Sequence, residues 1–453
     1  MQKNMRLAST AINLPKDEDV QQEEEKRQEG EKSKIERIEA WLMARYDFRR
    51  NMVLQKIEVK EKVQGTEWHV MEDAEENDLL YELNKANFTK PEGMMNVILG
   101  SSRIETYNPI DEYFSHNELR TMGNIRRLMN CVELNPTIDQ LYDGRTYRQI
   151  FEEYFVKWLK ACYICMTGKK FNDVMLLLVG PQGTHKTSFL NHLTPPELAA
   201  YSHTGHIEPT LSNYLTASYL VEKVFINVDD QMENIFGKDY NSMKSIISQD
   251  IVTRRMLYRR HSTQQRRIAN FCGSVNETGF LMDSNNRRYL CFQVANISTE
   301  YSNVDIGQLW AEVAQLVEED NGSVYVFKQH DYEIIDLIDE NCAAPIEEGE
   351  LLNSCFEPAT AHEQWTYYMQ FSEIMKELKY VSDNMSLKQY NLKTAMRRYK
   401  FNSQPVRRTE RGNMPYRLYA VKIKKGSPYT DILIDRCKNY RDPHEWPMPG
   451  EPL

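Results

Sequence analysis

The stretch Val174 to Leu193, VMLLLVGPQGTHKTSFLNHL, leaves fewer folds open than any other part of the sequence. The apolar run Val174 to Val179 predicts a strand buried on both faces. Gly180 ends it, and Pro181, Gln182, Gly183, Thr184 and His185 form a turn. Lys186, Thr187 and Ser188 then open a helix whose Phe189, Leu190 and Leu193 share one side. A strand, a glycine-bearing turn and a helix opening on Lys-Thr together cradle a triphosphate. Free main-chain N–H groups at the helix start, with the positive end of its dipole, make an anion site. ATP is therefore expected over Gly180 to Ser188, with Lys186 at its β- and γ-phosphates and the Thr187 hydroxyl at a Mg²⁺ position. One residue departs from the pattern GxxxxGK[ST]: His185 stands where glycine is usual. A Cβ there crowds the phosphates unless the backbone is already helical. Gly183 is expected to supply the missing freedom, and the imidazole can add a donor.

Bulk composition narrows the class. A chain of 453 residues should hold two or three domains. Its 41% hydrophobic content allows sizeable cores. The net charge of −10 excludes a protein coated in nucleic-acid-binding charge, though not a local basic channel. No apolar run is long enough to span a bilayer, and MQKNMRLAST lacks the apolar centre of a signal peptide. Eight scattered cysteines argue against a disulfide framework and for a reducing cytoplasm. Cys162 and Cys165 form a lone CxxC on an apolar helix, so they are expected in a core. His203 and His206 have no partner pair at metal-binding spacing.

In chain order, residues 1–34 are rich in Glu, Gln and Lys and predict a disordered or loosely helical leader. Residues 35–145 predict an α+β accessory region, with an alternating strand around Met52 to Val59 and helices beyond it. The core, 146–320, begins with an amphipathic helix from Tyr147 to Met166. Its Phe151, Tyr154, Phe155, Trp158 and Leu159 are expected to pack inward rather than stack on bases. A helical connector occupies 321–361, with a linker at Gly349 to Pro358. Residues 362–425 follow the winged-helix order of helix, helix and hairpin, the turn carrying Arg411-Gly412-Asn413. Lys388, Lys393, Arg397, Arg398, Lys400, Arg407, Arg408 and Arg411 make this part basic enough for duplex binding. An irregular tail, 426–453, closes the chain. The fold class is thus α/β, a P-loop (AAA+-like) core between an α+β region and a winged-helix-like domain.

Further chemistry lies downstream of the loop. VFINVDD, Val224 to Asp230, is an apolar strand ending in two carboxylates, the Walker B pattern. Asp229 is expected to hold Mg²⁺, a hard cation that takes oxygen ligands, and Asp230 to polarise the attacking water. DIVTRRMLYRRHSTQQRR, Asp250 to Arg267, sets Arg254, Arg255, Arg259, Arg260, Arg266 and Arg267 around Tyr258. Cations interleaved with an aromatic suit a groove that tracks a sugar–phosphate backbone. IANFCGS, Ile268 to Ser274, predicts a strand that places Asn276 at its tip. A polar residue there can read both γ-phosphate and water, the sensor position of AAA+-type folds. The turn at Asp283 to Asn286 leads into Arg287 and Arg288, one of which suits a finger reaching a neighbouring subunit's nucleotide; Arg288 is the choice here.

Taken in order, these motifs resemble the virulence-associated E family. The resemblance is closest from Ile35 to Val317 and includes RYDFRRN at 45–51, YNPIDEY at 107–113, LVGPQGTHKTSFLNHLTPPEL at 178–198 and TRRMLYRRHSTQQRRIANFCGSVNETGFL at 253–281. It implies a superfamily 3 helicase-type AAA+ ATPase of mobile genetic elements. Such a protein is oligomeric, commonly hexameric, and moves single-stranded DNA through a central channel. No primase catalytic domain is read ahead of the ATPase, so priming is expected from a separate primase or is absent. The family tolerates residues other than glycine before the loop lysine, as at His185. A competing expectation is a signalling or anti-phage defence NTPase that oligomerises on nucleotide without translocating. Stimulation of ATP turnover by single-stranded DNA separates the two. A third is a regulatory DNA-binding protein with a decayed ATPase core, suggested only by His185 and Asp230.

Overall fold

The computed structural model describes residues 33–229, 239–254, 263–281, 287–343, 346–360, 366–382, 386–407 and 415–440. The expectations for residues 1–32, Asp230, Arg255, Arg259, Arg260, the turn at 283–286, Arg408, Arg411 to Asn413 and residues 441–453 lie outside them. Two compact units are present, Met1–His116 and Asn117–Leu453. The first break therefore falls after His116 and not at residue 145.

In the first unit, Ser33 and Glu36 form a capping box that starts helix α1 (Lys34–Arg45). Strands β1 (Tyr46–Asn51), β2 (Lys56–Glu61) and β3 (His69–Val70) precede helices α2 (Asp73–Lys85) and α3 (Glu92–Gly100). Strand β4 (Glu105–Tyr107) and helix α4 (Pro109–His116) complete the unit. The sheet order is β3-β2-β1-β4. Where the sequence suggested one strand around Met52 to Val59, the chain makes a hairpin. The Asn51 side-chain carbonyl accepts the amides of Val53 and Leu54, each at 3.0 Å, and Gln55 takes φ +57°, which reverses the chain. Ile38, Leu42, Val59, Leu83 and Met95 centre the core.

The second unit opens with α5 (Asn124–Asn130), β5 (Val132–Leu134) and α6 (Tyr147–Met166), followed by β6 (Met175–Val179) and α7 (Lys186–His192). Next come β7 (Ser202–Thr204), α8 (Tyr214–Glu222), β8 (Phe225–Val228) and α9 (Tyr240–Ile247). Then follow β9 (Ile251–Arg254), β10 (Thr263–Arg266), β11 (Asn270–Val275), β12 (Tyr289–Ile297), α10 (Ile306–Glu319) and α11 (Gln329–Asp339). Its main sheet has the order β5-β12-β6-β11-β8-β7. The pairings from β12 to β7 are parallel, while β5 joins β12 antiparallel at the edge. This edge pairing is why residues 117–134 belong with the core.

Every residue of β6, β8 and β11 is buried, as parallel strands covered on both faces require. Phe151, Tyr154, Phe155, Trp158 and Leu159 of α6 are fully buried. Each such side chain contributes roughly 1.5–3 kcal/mol to folding. Two buried indoles are satisfied: Trp158 donates to the Val174 carbonyl at 3.1 Å, and Trp310 to that of Leu193 at 2.8 Å. Cys162 and Cys165 lie in this core, where burial pushes both thiols up. His203 stacks on Tyr219 at 4.3 Å between ring centres and meets the His206 carbonyl at 3.1 Å.

The C-terminal part differs from expectation at both ends. Gly349 to Pro358 is not a linker: it forms most of α12 (Glu347–Cys355) and all of β13 (Phe356–Pro358). Leu352, Cys355 and Phe356 are buried with β14 (Tyr367–Met369), α13 (Phe371–Val381) and α14 (Gln389–Arg398). Gly349 marks a close helix approach, since a Cβ there would sit 3.1 Å from that of Ala395. Strands β15 (Ser403–Arg407) and β16 (Pro415–Ile423) pair antiparallel, and β16 also pairs with β13 and β14. Beyond residue 428 the tail continues as helix α15 (Thr430–Arg436), because Leu433 and Cys437, one turn apart, are buried against this core. No helix of the described residues is long and apolar enough to cross a membrane.

Candidate functional site

The loop after β6 lies at the carboxyl end of a parallel strand, where open α/β sheets bind ligands. Gly180 starts it because nothing larger fits: a Cβ would lie 2.2 Å from the Val294 carbonyl oxygen on β12. Gly180→Ala is expected to destabilise the unit by about 1–3 kcal/mol through overpacking, read as a lower urea midpoint. Gly183 takes φ +83° and His185 φ +63°, so the two residues together supply the left-handed backbone. Histidine thus occupies a conformation that glycine adopts without strain, and its imidazole is exposed. The turn is further held by Thr184, whose hydroxyl donates to the Pro181 carbonyl at 2.8 Å. Among the described residues, the amides of Gly183 and His185 donate to no main-chain carbonyl.

Lys186 is only 5% exposed. Its ammonium donates to the carbonyls of Gly180 and Pro181, both at 2.7 Å, and to the Thr184 hydroxyl at 3.2 Å. Asn276, one residue past β11, brings its side-chain carbonyl to 3.4 Å from the same ammonium. Because β11 runs between β6 and β8, its tip stands between the loop and Asp229. Thr187 donates its hydroxyl to the Asp229 carboxylate at 2.9 Å. Ser274 donates to the same carboxylate oxygen at 2.8 Å and lies 3.1 Å from the Thr187 hydroxyl. Lys186, Thr187, Asp229 and Asn276 therefore converge, contributed by the ends of β6, β8 and β11.

Sequence reasoning did not single out Ser274. It lay inside a stretch read only as a strand, and the signal was a hydroxyl two residues before Asn276. Asn227, buried on β8, was also missed; its amide donates to the Asn191 side chain at 2.7 Å and ties β8 to α7.

The oxygen donors suit magnesium. Thr187 and Asp229 offer a hydroxyl and a carboxylate within one coordination sphere, and Mg²⁺ completes its shell with waters and phosphates. Among the described residues no group of three or more His, Cys, Asp or Glu could hold a metal ion. A shell shared with a triphosphate does not need one.

The arginines divide. Arg254 and Arg267 are 4% and 0% exposed, so neither guanidinium is available to DNA. Arg254 pairs with Glu222 and donates to the Ser218 hydroxyl at 2.8 Å. Arg267 donates to the carbonyls of Ile246 at 3.0 Å, Ile247 at 2.8 Å and Asn172, and lies against Phe171 and Phe271. Both were expected at phosphates and instead brace the core; the long apolar stem of arginine permits such burial when most of its N–H groups are met, Arg254 Nη2 and Arg267 Nε being the exceptions here. Arg266 faces solvent, 3.5 Å from Asp250. Strands β9 and β10 form an antiparallel pair, and Arg255, Arg259 and Arg260 lie between them in sequence. Arg287 and Arg288 precede β12, at the opposite end of the parallel sheet from Lys186. Arg288 donates to Ser248 at 2.7 Å, and its carbonyl accepts the Met175 amide at 2.7 Å.

Comparison with known proteins adds the following. The chain is similar to an apo structure of the NrS-1 C-terminal region, with 12% identity, a TM-score of 0.44, and coverage of 87% of this chain and 100% of that one. It is also similar to a structure described as SCCmec type IV Cch, active helicase, with 9% identity, a TM-score of 0.32, and coverage of 82% and 92%. No curated protein matches. Residues 124–341, which span the whole parallel sheet and its loops, match the virulence-associated protein E-like domain.

Proposed function

We propose that the chain is a Mg²⁺-dependent ATPase of the helicase kind that works on DNA in the replication of a mobile genetic element. One observation supports this above others: Lys186, Thr187, Asp229 and Asn276 converge at the carboxyl ends of adjacent parallel strands, with Thr187 and Asp229 2.9 Å apart. In this reading Lys186 exchanges the carbonyls of Gly180 and Pro181 for the β- and γ-phosphate oxygens of ATP. Thr187 and Asp229 hold Mg²⁺, and Ser274 keeps the Asp229 carboxylate turned toward Thr187. The ion, when bound, neutralises charge that develops on the phosphates. Asn276 orients the attacking water beside the γ-phosphate, and Asp230 polarises it.

An arginine at the far end of the sheet cannot serve its own nucleotide, so Arg288 acts in a neighbouring copy within a ring, hexameric by family resemblance. The sequence between β9 and β10, with Arg255, Arg259 and Arg260, is the part proposed to grip single-stranded DNA in the channel. Duplex is met by the C-terminal helix–helix–hairpin segment. ATP turnover measured with and without single-stranded DNA tests the reading. Stimulation is expected, and turnover indifferent to DNA would favour an assembly switch instead. Asp229→Asn should raise the Mg²⁺ concentration needed for half-maximal turnover about tenfold, in line with losing one charged ligand.

A further inference from the structure

A second site lies outside the ATPase core. Between α14 and the pair β15–β16 is a cavity of about 590 Å³, walled by Lys393, Arg397, Asn402, Ser403, Arg417 and Tyr419. Buried Met396 and Phe401 add apolar surface. Among the described residues no acidic side chain lines it, although the same domain pairs another cation, Arg436, with Glu377. The Arg417 guanidinium is steered by the Ser403 hydroxyl, 3.1 Å away across the strand pair. The Lys393 ammonium stands 5.1 Å from the centre of the Phe371 ring. Three cations around one cavity repel each other, and an anion is what relieves that repulsion.

The geometry points to a nucleic-acid site, in which Lys393, Arg397 and Arg417 take backbone phosphates and Tyr390 and Tyr419 offer faces to bases or sugars. A polymer fits better than a free phosphate for a reason of length. Tyr390, Lys393 and Arg397 recur at helical spacing on one face of α14, and Tyr390 is 69% exposed. From Tyr390 to Arg397 that stripe runs roughly 10 Å along the helix, its last two cations walling the cavity, which is more than a single phosphate spans. Sequence reasoning had counted the basic residues of this segment without Arg417. It could not tell which of them share a cavity.

The site deepens the reading that the C-terminal segment meets DNA and rests on it; its residues are tested without nucleotide, so this site and the ATPase site can each fail alone. Anisotropy titrations of labelled single-stranded and duplex oligonucleotides would compare the full-length chain with the triple variant Lys393→Ala, Arg397→Ala, Arg417→Ala. Its fold is checked by circular dichroism and melting. The expected result is at least tenfold weaker binding of one or both forms. The slope of log affinity against log salt should become shallower by about 2, since each lost phosphate contact removes about 0.7–0.9. The charge-retaining variant Lys393→Arg, Arg397→Lys, Arg417→Lys should keep the parent slope, which a purely structural role does not require. Whichever oligonucleotide loses more identifies the strand form held there. Unchanged affinity and slope in the alanine variant overturn the proposal. So does displacement of the oligonucleotide by millimolar inorganic phosphate at constant ionic strength, which would mark a small-anion site.

Discussion

Lys186→Ala is expected to reduce ATP turnover by at least about a hundredfold, the scale on which removing one preorganised charge donor acts. The side chain is held almost out of solvent, with its ammonium between the carbonyls of Gly180 and Pro181 at 2.7 Å and beside Asn276. Alanine removes the cation and leaves those two carbonyl oxygens turned toward the phosphates, so attraction is replaced by repulsion. Lys186→Arg should not rescue turnover, because a planar fork cannot occupy the volume of a compact ammonium in this loop. Phosphate release by the purified variants, with melting temperatures as a fold control, is the measurement. Turnover near the parent level in either variant would place the chemistry elsewhere.

The second large effect is on stability. Arg267→Ala should destabilise the second unit by about 3 kcal/mol or more, as several buried acceptors lose their donor and a cavity opens. Arg267 is fully buried and donates to the carbonyls of Ile246, Ile247 and Asn172, linking the end of α9 to the segment before β6. Burial lowers its pKa from the ordinary guanidinium value. Burial thus penalises the charge, and the three carbonyls that accept its N–H groups offset that penalty, so a neutral replacement that fails to donate to them leaves buried acceptors unmet. Arg266→Ala, one residue away and solvent-facing, should change stability by no more than about 0.5 kcal/mol. Urea unfolding of both variants checks the contrast. Equal effects would mean that the burial of Arg267 is not what matters.

These adjacent arginines show how far the sequence could be read. An Arg-Arg pair in a basic run carries no sign of which guanidinium turns inward, because burial depends on carbonyls contributed from the end of α9 and from Asn172. The strand from Val174, the turn and the Lys-Thr helix start were legible because each is fixed by local pattern: apolar run, glycine, then amphipathic period. Asp229 and Asn276 were legible as strand-end polar residues, and the sheet order sets them beside Lys186. Ser274 was not, since a serine within a strand is silent until its neighbours are known. At Gly349 and after residue 428 the local signals for a linker and a loose tail were outweighed by packing. Glycine there allows α12 to approach α14, and Leu433 with Cys437 docks the last helix.

In the proposed function a triphosphate and a magnesium ion share the space between Lys186, Thr187 and Asp229. Calorimetric titration of the full-length chain with a non-hydrolysable ATP analogue, with and without Mg²⁺, addresses this most directly. The expected result is one site per chain, bound more tightly with Mg²⁺, with the Mg²⁺-dependent gain lost in Asp229→Asn while binding of the metal-free analogue persists. No binding heat, or the same affinity with and without Mg²⁺ in both proteins, would contradict it.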